Sequence, residues 1–540
     1  GWVSQAFPWV LFASSSLGMG LMLGAYWAYG VLGWGGYWGW DPVENSSLVP
    51  WITSVALIHT LLAQRRSQKY VRTNFALAII SFLLVVYSTF LTRSGILGES
   101  SVHSFTDPGS TVYWLLLGFL AFIAVLGFGL LAARWKELKA LSSDAEFVSR
   151  ETALGAGTIA LLLSAGVVLF GTSLPIFSKT SVEPAFYDTT NLPIAIAIGF
   201  LIGLSLFIQW KVDEWKEVAV RAFKSVAASV LLTVMLMFAG IKDALVLLFI
   251  FTTAFAFFTN LELLLRTRNG GIQALGGKFA HIGIAIMFLG IIATGKFSRT
   301  EHLSLALNTP QEAFGYKLMY TGYNPTSDGK FAFNVSAEKD GNKFVLAPVM
   351  FQAGEQGLMR NPDIASFLTR DIYISPVSLD QSENHAGNET YTIPKGETVS
   401  MGVVKATFVK FDMNAHSTEA MTSGQQGMAI GSVLTLSDGK STETITPLAH
   451  YGSDGTPTYT PTASKLVGGF VQLVSMNVGM SGEGASTVTV NVQRSHELTE
   501  SSETLVVEAS IKPYIGLLWA GTVVMIIGFI FAIIKRSTEA

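Results

Sequence analysis

The sequence predicts a polytopic α-helical membrane protein, with about ten transmembrane helices and a large external β-rich domain before the last helix. Three observations carry this. Half of the 540 residues are hydrophobic and only 14% are charged, with a mean hydropathy of +0.45, whereas a soluble domain would be about a quarter charged. Apolar runs of spanning length recur through residues 1–295 and once more near the end. Between them, residues 296–512 change to period-two alternation broken by turn signals. The formal net charge of -3 gives no case for nucleic-acid binding. With no cysteine, the chain has neither a disulfide framework nor a thiolate metal site or thiol nucleophile of its own.

Taken in order, the first span is Trp9 to Val31, long enough at about 1.5 Å per residue to cross the roughly 30 Å of hydrocarbon. The next runs are Ser46 to Ala63, Thr73 to Leu91, Val112 to Ala133, Thr152 to Leu174 and Leu192 to Trp210. Ser225 to Gly240, Ala244 to Leu265, Phe279 to Thr294 and Pro513 to Ile534 complete the set. The opening Gly1-Trp2-Val3 has no initiator methionine and no charged segment ahead of an apolar core, so it reads as neither a signal peptide nor a natural start, and further sequence is expected upstream. Basic residues cluster in alternate connections: Arg65, Arg66, Lys69 and Arg72; Arg134, Lys136, Lys139 and Arg150; Lys211, Lys216, Arg221 and Lys224; Arg266, Arg268 and Lys278; Lys535 and Arg536. The intervening connections carry only Arg93, Lys179 and Lys242. By the positive-inside rule those seventeen residues face the cytoplasm and the three face out. The loops 34–51 and 92–111 are therefore external, as is the segment 296–512, and residues 513–540 form the final span and a cytoplasmic tail.

Within 296–512, runs such as Lys330-Phe-Ala-Phe-Asn-Val-Ser, Ala406-Thr-Phe-Val-Lys-Phe, Ser432-Val-Leu-Thr-Leu-Ser and Thr487-Val-Thr-Val-Asn-Val read as strands. Turns are signalled at Asp328-Gly329, Asp340-Gly341, Asp438-Gly439 and Asp454-Gly455. The Gly/Ser/Met stretch Met421 to Gly431 reads as a mobile loop. No internal repeat is visible.

The most informative stretch runs from Trp34 to Trp51. Trp34, Trp38, Trp40 and Trp51 offer flat apolar surface, and Gly35, Gly36 and Gly39 let backbone approach whatever the rings contact. An aromatic belt at the membrane interface is the bland alternative. The order of residues favours a ligand surface: Asp41 is an N-cap acceptor, Pro42 a first helical residue and Glu44 a first-turn carboxylate, so the rings stand just before a helix mouth. Through Trp34, Gly35, Gly36, Trp38, Trp40, Asp41, Pro42, Glu44, Asn45, Pro50 and Trp51 the run resembles the tryptophan-rich "WWD" signature of the haem-handling membrane proteins of cytochrome c biogenesis. Among these the long forms are the CcmF-type haem lyases, whose layout, with a large external domain before a last span, this chain resembles. Leu368-Thr-Arg-Asp-Ile-Tyr373 looks like a segment of that domain.

Two of the eight histidines, His59 and His281, fall inside spans, where an ionisable side chain is costly enough to suggest function. Six residues separate His59 from Arg65 and three separate Lys278 from His281, which puts both imidazoles roughly 5 to 9 Å inside the cytoplasmic ends of antiparallel helices. Facing imidazoles can clamp a haem iron, and two unrelated interhelical hydrogen bonds are the alternative. The resemblance implies the clamp: a b-type haem held in the membrane by His59 and His281. It also implies that His103, in the loop Arg93-Ser-Gly to Val-His-Ser-Phe, binds the iron of an external haem; on the residues alone a loop histidine would simply be solvated. The family's second external histidine has no counterpart in the 33 residues before Trp34. His302, His385, His416, His450 and His496 show no metal-ligand spacing and read as surface residues.

The resemblance implies haem ligation to apocytochrome c, with thioether bonds from the haem vinyl groups to a Cys-x-x-Cys-His segment. External haem is then a substrate held by Trp34, Gly35, Gly36, Trp38, Trp40, Asp41, Pro42, Glu44, Asn45, Trp51 and His103. The implied partners are a CcmE-type haem chaperone, a CcmH-type thiol protein presenting apocytochrome c, quinol as electron source, and membrane lipid. The implied location is the bacterial inner membrane, with the loop and the β-rich domain in the periplasm. No general base or nucleophile is visible, so rate would come from orientation by Trp34, Trp38, Trp40 and Asp41. Two other classes stay open: a haem transporter of the WWD family, separated by a thioether-formation assay, and a secondary transporter, which should show repeats and broken spans.

Overall fold

Ten helices are long and apolar enough to cross a membrane: α1 (Trp2–Val31), α2 (Pro42–Ser67), α3 (Val71–Arg93), α4 (Ser110–Ala133), α5 (Arg150–Ser178), α6 (Pro184–Leu204), α7 (Trp215–Phe238), α8 (Ala244–Arg266), α9 (Gly276–Phe297) and α10 (Ile515–Thr538). They belong to a computed structural model that describes residues 2–33, 35–97, 101, 103–104, 108–138, 147–178, 180, 182–210, 213–267, 275–326, 330–352, 358–381, 389–402, 404–413, 428–451, 457–477, 486–494 and 503–539. The ends follow from local chemistry. Asp41 caps α2 by accepting the Val43 N–H at 2.9 Å, and Pro42 occupies the first position, where its missing N–H costs nothing. Asp243 caps α8 through the N–H groups of Leu245 and Val246. The expected span Leu192 to Trp210 is displaced: α6 begins earlier, at Pro184, because a proline there starts the helix, and it ends at Leu204. The apolar tail Ser205 to Trp210 turns instead, and its Gln209 carbonyl receives the Arg150 N–H at 2.7 Å.

The closest helix pair is α9 with α10, and glycines set its distance. Gly276, Gly283 and Gly290 recur at seven-residue steps on α9, opposite Gly521 and Gly528 on α10. A Cβ at Gly283 would lie 2.3 Å from the Met525 nitrogen, and one at Gly528 would lie 2.2 Å from the Ala280 nitrogen. Backbone rests on backbone here, the packing that small residues permit between helices in lipid.

By compactness the chain divides into two units, Gly1–Ser378 with Val506–Ala540, and Leu379–Leu505. This differs from the expected break at residues 295 and 512. The first unit includes a four-stranded sheet ordered Arg299–Ala306, Glu503–Pro513, Arg370–Gln381, Asp363–Phe367. Its other sheet runs Gln311–Ala313, Tyr316–Pro325, Phe331–Lys339, Val349–Gln352, Leu358–Asn361, with Asn342–Leu346 also pairing the third strand. The strands nearest the helices group with them because they share buried contacts, described below, that alternation in sequence cannot reveal.

In the second unit one sheet is ordered Glu389–Pro394, Thr487–Arg494, Gly469–Asn477, Thr462–Ser464. The other is ordered Thr398–Met401, Val404–Asp412, Met428–Ser437, Leu448–Tyr451, Pro457–Thr460. Alternate residues of both, such as Val490 and Leu473 from one and Phe408 and Leu434 from the other, fill a single apolar core. The expected loop Met421 to Gly431 is shortened at its end, since residues 428–431 open a strand and residues 421–427 lie outside the described residues.

The glycine contacts are testable. Gly283→Ala should destabilise the purified protein by about 1–3 kcal/mol, read as a lower thermal midpoint, because the added carbon meets backbone that cannot rotate away. Gly277→Ala, whose Cβ would have nothing within 4 Å, should leave the midpoint unchanged.

Candidate functional site

The first turn of α2 folds the end of the tryptophan loop back on itself. The Glu44 carboxylate accepts the Gly39 N–H at 3.0 Å, and the Asn45 amide donates to the Trp40 carbonyl at 3.0 Å. Trp40 is held at φ 53°, a left-handed conformation that a bulky side chain rarely adopts. Two side-chain contacts help hold it there. Its indole stacks on Tyr187 of α6, with centroids 4.8 Å apart and planes 11° apart, and its N–H donates to Asp188 at 2.9 Å. Trp38 meets Trp40 edge-on at 6.2 Å, and the Trp38 indole N–H is buried with no partner among the described residues. A planar apolar group laid here would meet two braced rings and one open donor. Trp34 lies outside the described residues.

The other end of the loop is tied to the strand Arg370–Gln381. The fully buried Tyr373 phenol accepts the Gly35 N–H at 3.2 Å and donates to the Leu32 carbonyl at 2.9 Å. The Tyr29 hydroxyl donates to the Asp371 carboxylate at 3.1 Å. Burial raises the pKa of both Asp371 and Tyr373, against the opposing pull of the hydrogen bonds they accept from Tyr29 and Gly35. Gly35 stands at φ 79°, a left-handed conformation that favours glycine, with a Glu508 carboxylate oxygen 2.9 Å from where a Cβ would lie. The six residues Leu368 to Tyr373, singled out in sequence by resemblance alone, thus include the loop's anchor.

Asp41 does more than cap a helix. Its Oδ1 also accepts the Ser101 hydroxyl at 2.7 Å and lies 3.2 Å from His103 Nδ1, while the Ser101 hydroxyl accepts the His103 backbone N–H at 3.1 Å. The imidazole from loop 92–111 is therefore bound beside the tryptophan loop. A carboxylate on Nδ1 fixes the tautomer that leaves Nε2 as the electron-pair donor, the arrangement that orients metal-binding histidines. That hydrogen bond, opposed by partial burial, raises the His103 pKa above its ordinary value.

The remaining sequence candidates divide. Trp51, in the third turn of α2, puts its indole against Gly18 of α1, where a Cβ would lie 2.5 Å from its nitrogen. That is a packing position inside the bundle. Pro42 serves as a helix start, and Gly36 carries no steric demand, a Cβ there meeting nothing closer than 3.9 Å. His59 and His281 do come together, with ring centroids 6.2 Å apart and planes 19° apart. The His59 Nδ1 lies 2.8 Å from the Val55 carbonyl, which leaves Nε2 unprotonated, and His281 Nδ1 is buried without a partner among the described residues. Of the outlying histidines, His302 and His450 lie on strands of the two units, while His385, His416 and His496 lie outside the described residues. Among the described residues no three His, Asp or Glu side chains are grouped to hold a metal ion. Sequence reading missed Tyr29, Ser101, Tyr187 and Asp188, none of which carries a local motif.

Two outcomes follow. Tyr373→Phe strands the Gly35 N–H and the Leu32 carbonyl, and should cost about 1–3 kcal/mol, visible as faster amide exchange through residues 32–39. Asp41→Asn should lower the His103 pKa toward the ordinary histidine value in an NMR titration of the ligand-free protein. Because the folded-state pKa is raised, the His103–Asp41 pair contributes stability below about pH 6.5 and loses it as pH rises through the folded value.

The family model described as "Cytochrome C assembly protein" matches residues 2–97. The chain is similar to the "Cytochrome c-type biogenesis protein CcmF" of Pseudomonas aeruginosa, 31% identical over 69% of this chain and 60% of that protein. The protein of the same name from Haemophilus influenzae is 31% identical over 69% of this chain and 61% of its own length. The chain thus spans about 60% of the curated relatives it matches. A solved structure described as "Cytochrome c Heme Lyase CcmF" shares the fold at a TM-score of 0.52, with 18% identity, 98% of this chain covered and 66% of the other.

Proposed function

The chain is a CcmF-type protein by its relatives, its family match and its fold, and from that premise we propose that it holds haem on the Trp38–Trp40 surface and joins it to apocytochrome c. The observation that carries the proposal is Asp41, which binds the His103 imidazole beside those rings. His103 Nε2 would take the iron of the substrate haem, Trp38 and Trp40 would support its face, and the open Trp38 N–H would meet a polar edge. The reaction adds each cysteine S–H across a vinyl C=C: sulfur bonds to one carbon, hydrogen to the other, and no electrons enter or leave. Such an addition needs the thiol held against the right carbon, so orientation by a rigid platform supplies the rate.

The residues also fit a resident b-type haem. The rings of His59 and His281 stand with centroids 6.2 Å apart and planes 19° apart, a separation at which both imidazoles could hold one haem iron between them. His281 Nδ1 is otherwise an orphaned buried group. Such a haem supplies one-electron transfer; His59 and His281 hold it, and quinol is the donor we infer. The remaining parts of the proposal follow from kinship and from basic clustering: a bacterial inner-membrane site, loop and β-rich segments in the periplasm, a CcmE-type chaperone delivering haem, and a CcmH-type protein presenting the apocytochrome.

Spectroscopy of paired variants tests both sites. His59→Ala or His281→Ala should remove the b-type absorbance of the purified protein. Trp38→Ala with Trp40→Ala should leave that absorbance and abolish recovery of haem-loaded chaperone and thioether product. Unaltered spectra in both histidine variants would overturn the resident haem, and unchanged thioether formation in the double tryptophan variant would overturn the platform.

A further inference from the structure

The basic end of the bundle contains a cavity of about 400 Å³ whose walls carry Arg150, Arg221 and Arg266, with Trp210 beside them and apolar residues including Phe207 and Leu263 below. Two of the three guanidinium groups are neutralised. Arg221 bonds both carboxylate oxygens of Asp213, and Arg266 pairs with Glu262. Arg150 is different. Among the described residues its buried Nε has no hydrogen-bond partner and no carboxylate pairs with it. Its guanidinium lies over the Trp210 ring at 5.3 Å, and that of Arg66 lies over the same ring at 5.9 Å. A partly buried cation with a second cation over the same indole is costly unless an anion completes the arrangement.

We propose that this cavity binds the phosphate headgroup of a net-anionic phospholipid, with Arg150 as its principal ligand and Trp210 packing the glycerol region. Two features select a lipid. The site lies where α5, α7 and α8 reach their basic ends, at the level where headgroups lie. Beside the arginines its lining includes Leu206, Phe207, Ile208 and Leu263, apolar surface that a free phosphate would not need. None of its described lining residues comes from α2 or α9, the helices bearing His59 and His281, so the proposal uses neither histidine and does not rest on the haem reading.

The test counts lipids bound to the full chain in neutral detergent by native mass spectrometry. Phosphatidylglycerol should bind at least tenfold more tightly than phosphatidylcholine, and the preference should shrink as salt is raised. Arg150→Gln should erase the preference and Arg150→Lys should restore part of it, since lysine keeps the charge without the planar fork. Equal binding of the two lipids to the unaltered protein would overturn the proposal, and that comparison stands even if Arg150→Gln does not fold. Displacement of phosphatidylglycerol by equimolar inorganic phosphate would overturn it in favour of a free-anion site. An altered haem spectrum in Arg150→Gln, with lipid binding unchanged, would overturn it by assigning Arg150 to a haem carboxylate.

Discussion

One oxygen of Asp41 accepts three donors: the Val43 N–H that starts α2, the Ser101 hydroxyl and His103 Nδ1. A carboxylate only 9% exposed is tolerated because these donors replace its water. The same group therefore sets where the helix begins, and with it the reach of Glu44 and Asn45 back to Gly39 and Trp40. It also sets where the loop imidazole stands. The tryptophan surface, the histidine and the helix origin share one point of reference.

α2 carries that reference into the bundle. His59 lies seventeen residues after Pro42, about 26 Å along the axis. In α2, 56% of the spanning window is enclosed by protein, against 22% in α3, so His59 is presented to neighbouring helices and not to lipid.

Much of this was legible before any coordinates. Hydropathy located all ten spans, and Asp41-Pro42-Val43-Glu44 marked the start of α2, because both signals are local. The equal depth of His59 and His281 follows from their distances to Arg65 and Lys278, and the two rings do come together. What stayed hidden depends on distant residues. Tyr187 and Asp188 brace Trp40 from a helix nearly 150 positions away, with a separation of 148 for the Asp188 bond, and no local pattern points to them. Trp51 belongs to the motif as written, yet its place in the third turn of α2 turns it toward Gly18, since helical phase decides which side a ring faces. The end of α6 was misplaced because apolar residues continue past the point where the backbone turns.

The glycine seam between α9 and α10 joins helices separated by the whole β-rich segment. Chains emerge from the ribosome N-terminus first. His281 is therefore synthesised long before the surface that seats its helix, and α9 must wait in the bilayer with bare backbone ridges until α10 arrives. Completion of α10 thus acts as a timer on assembly: the backbone seam can close only after every strand between α9 and α10 has been translated.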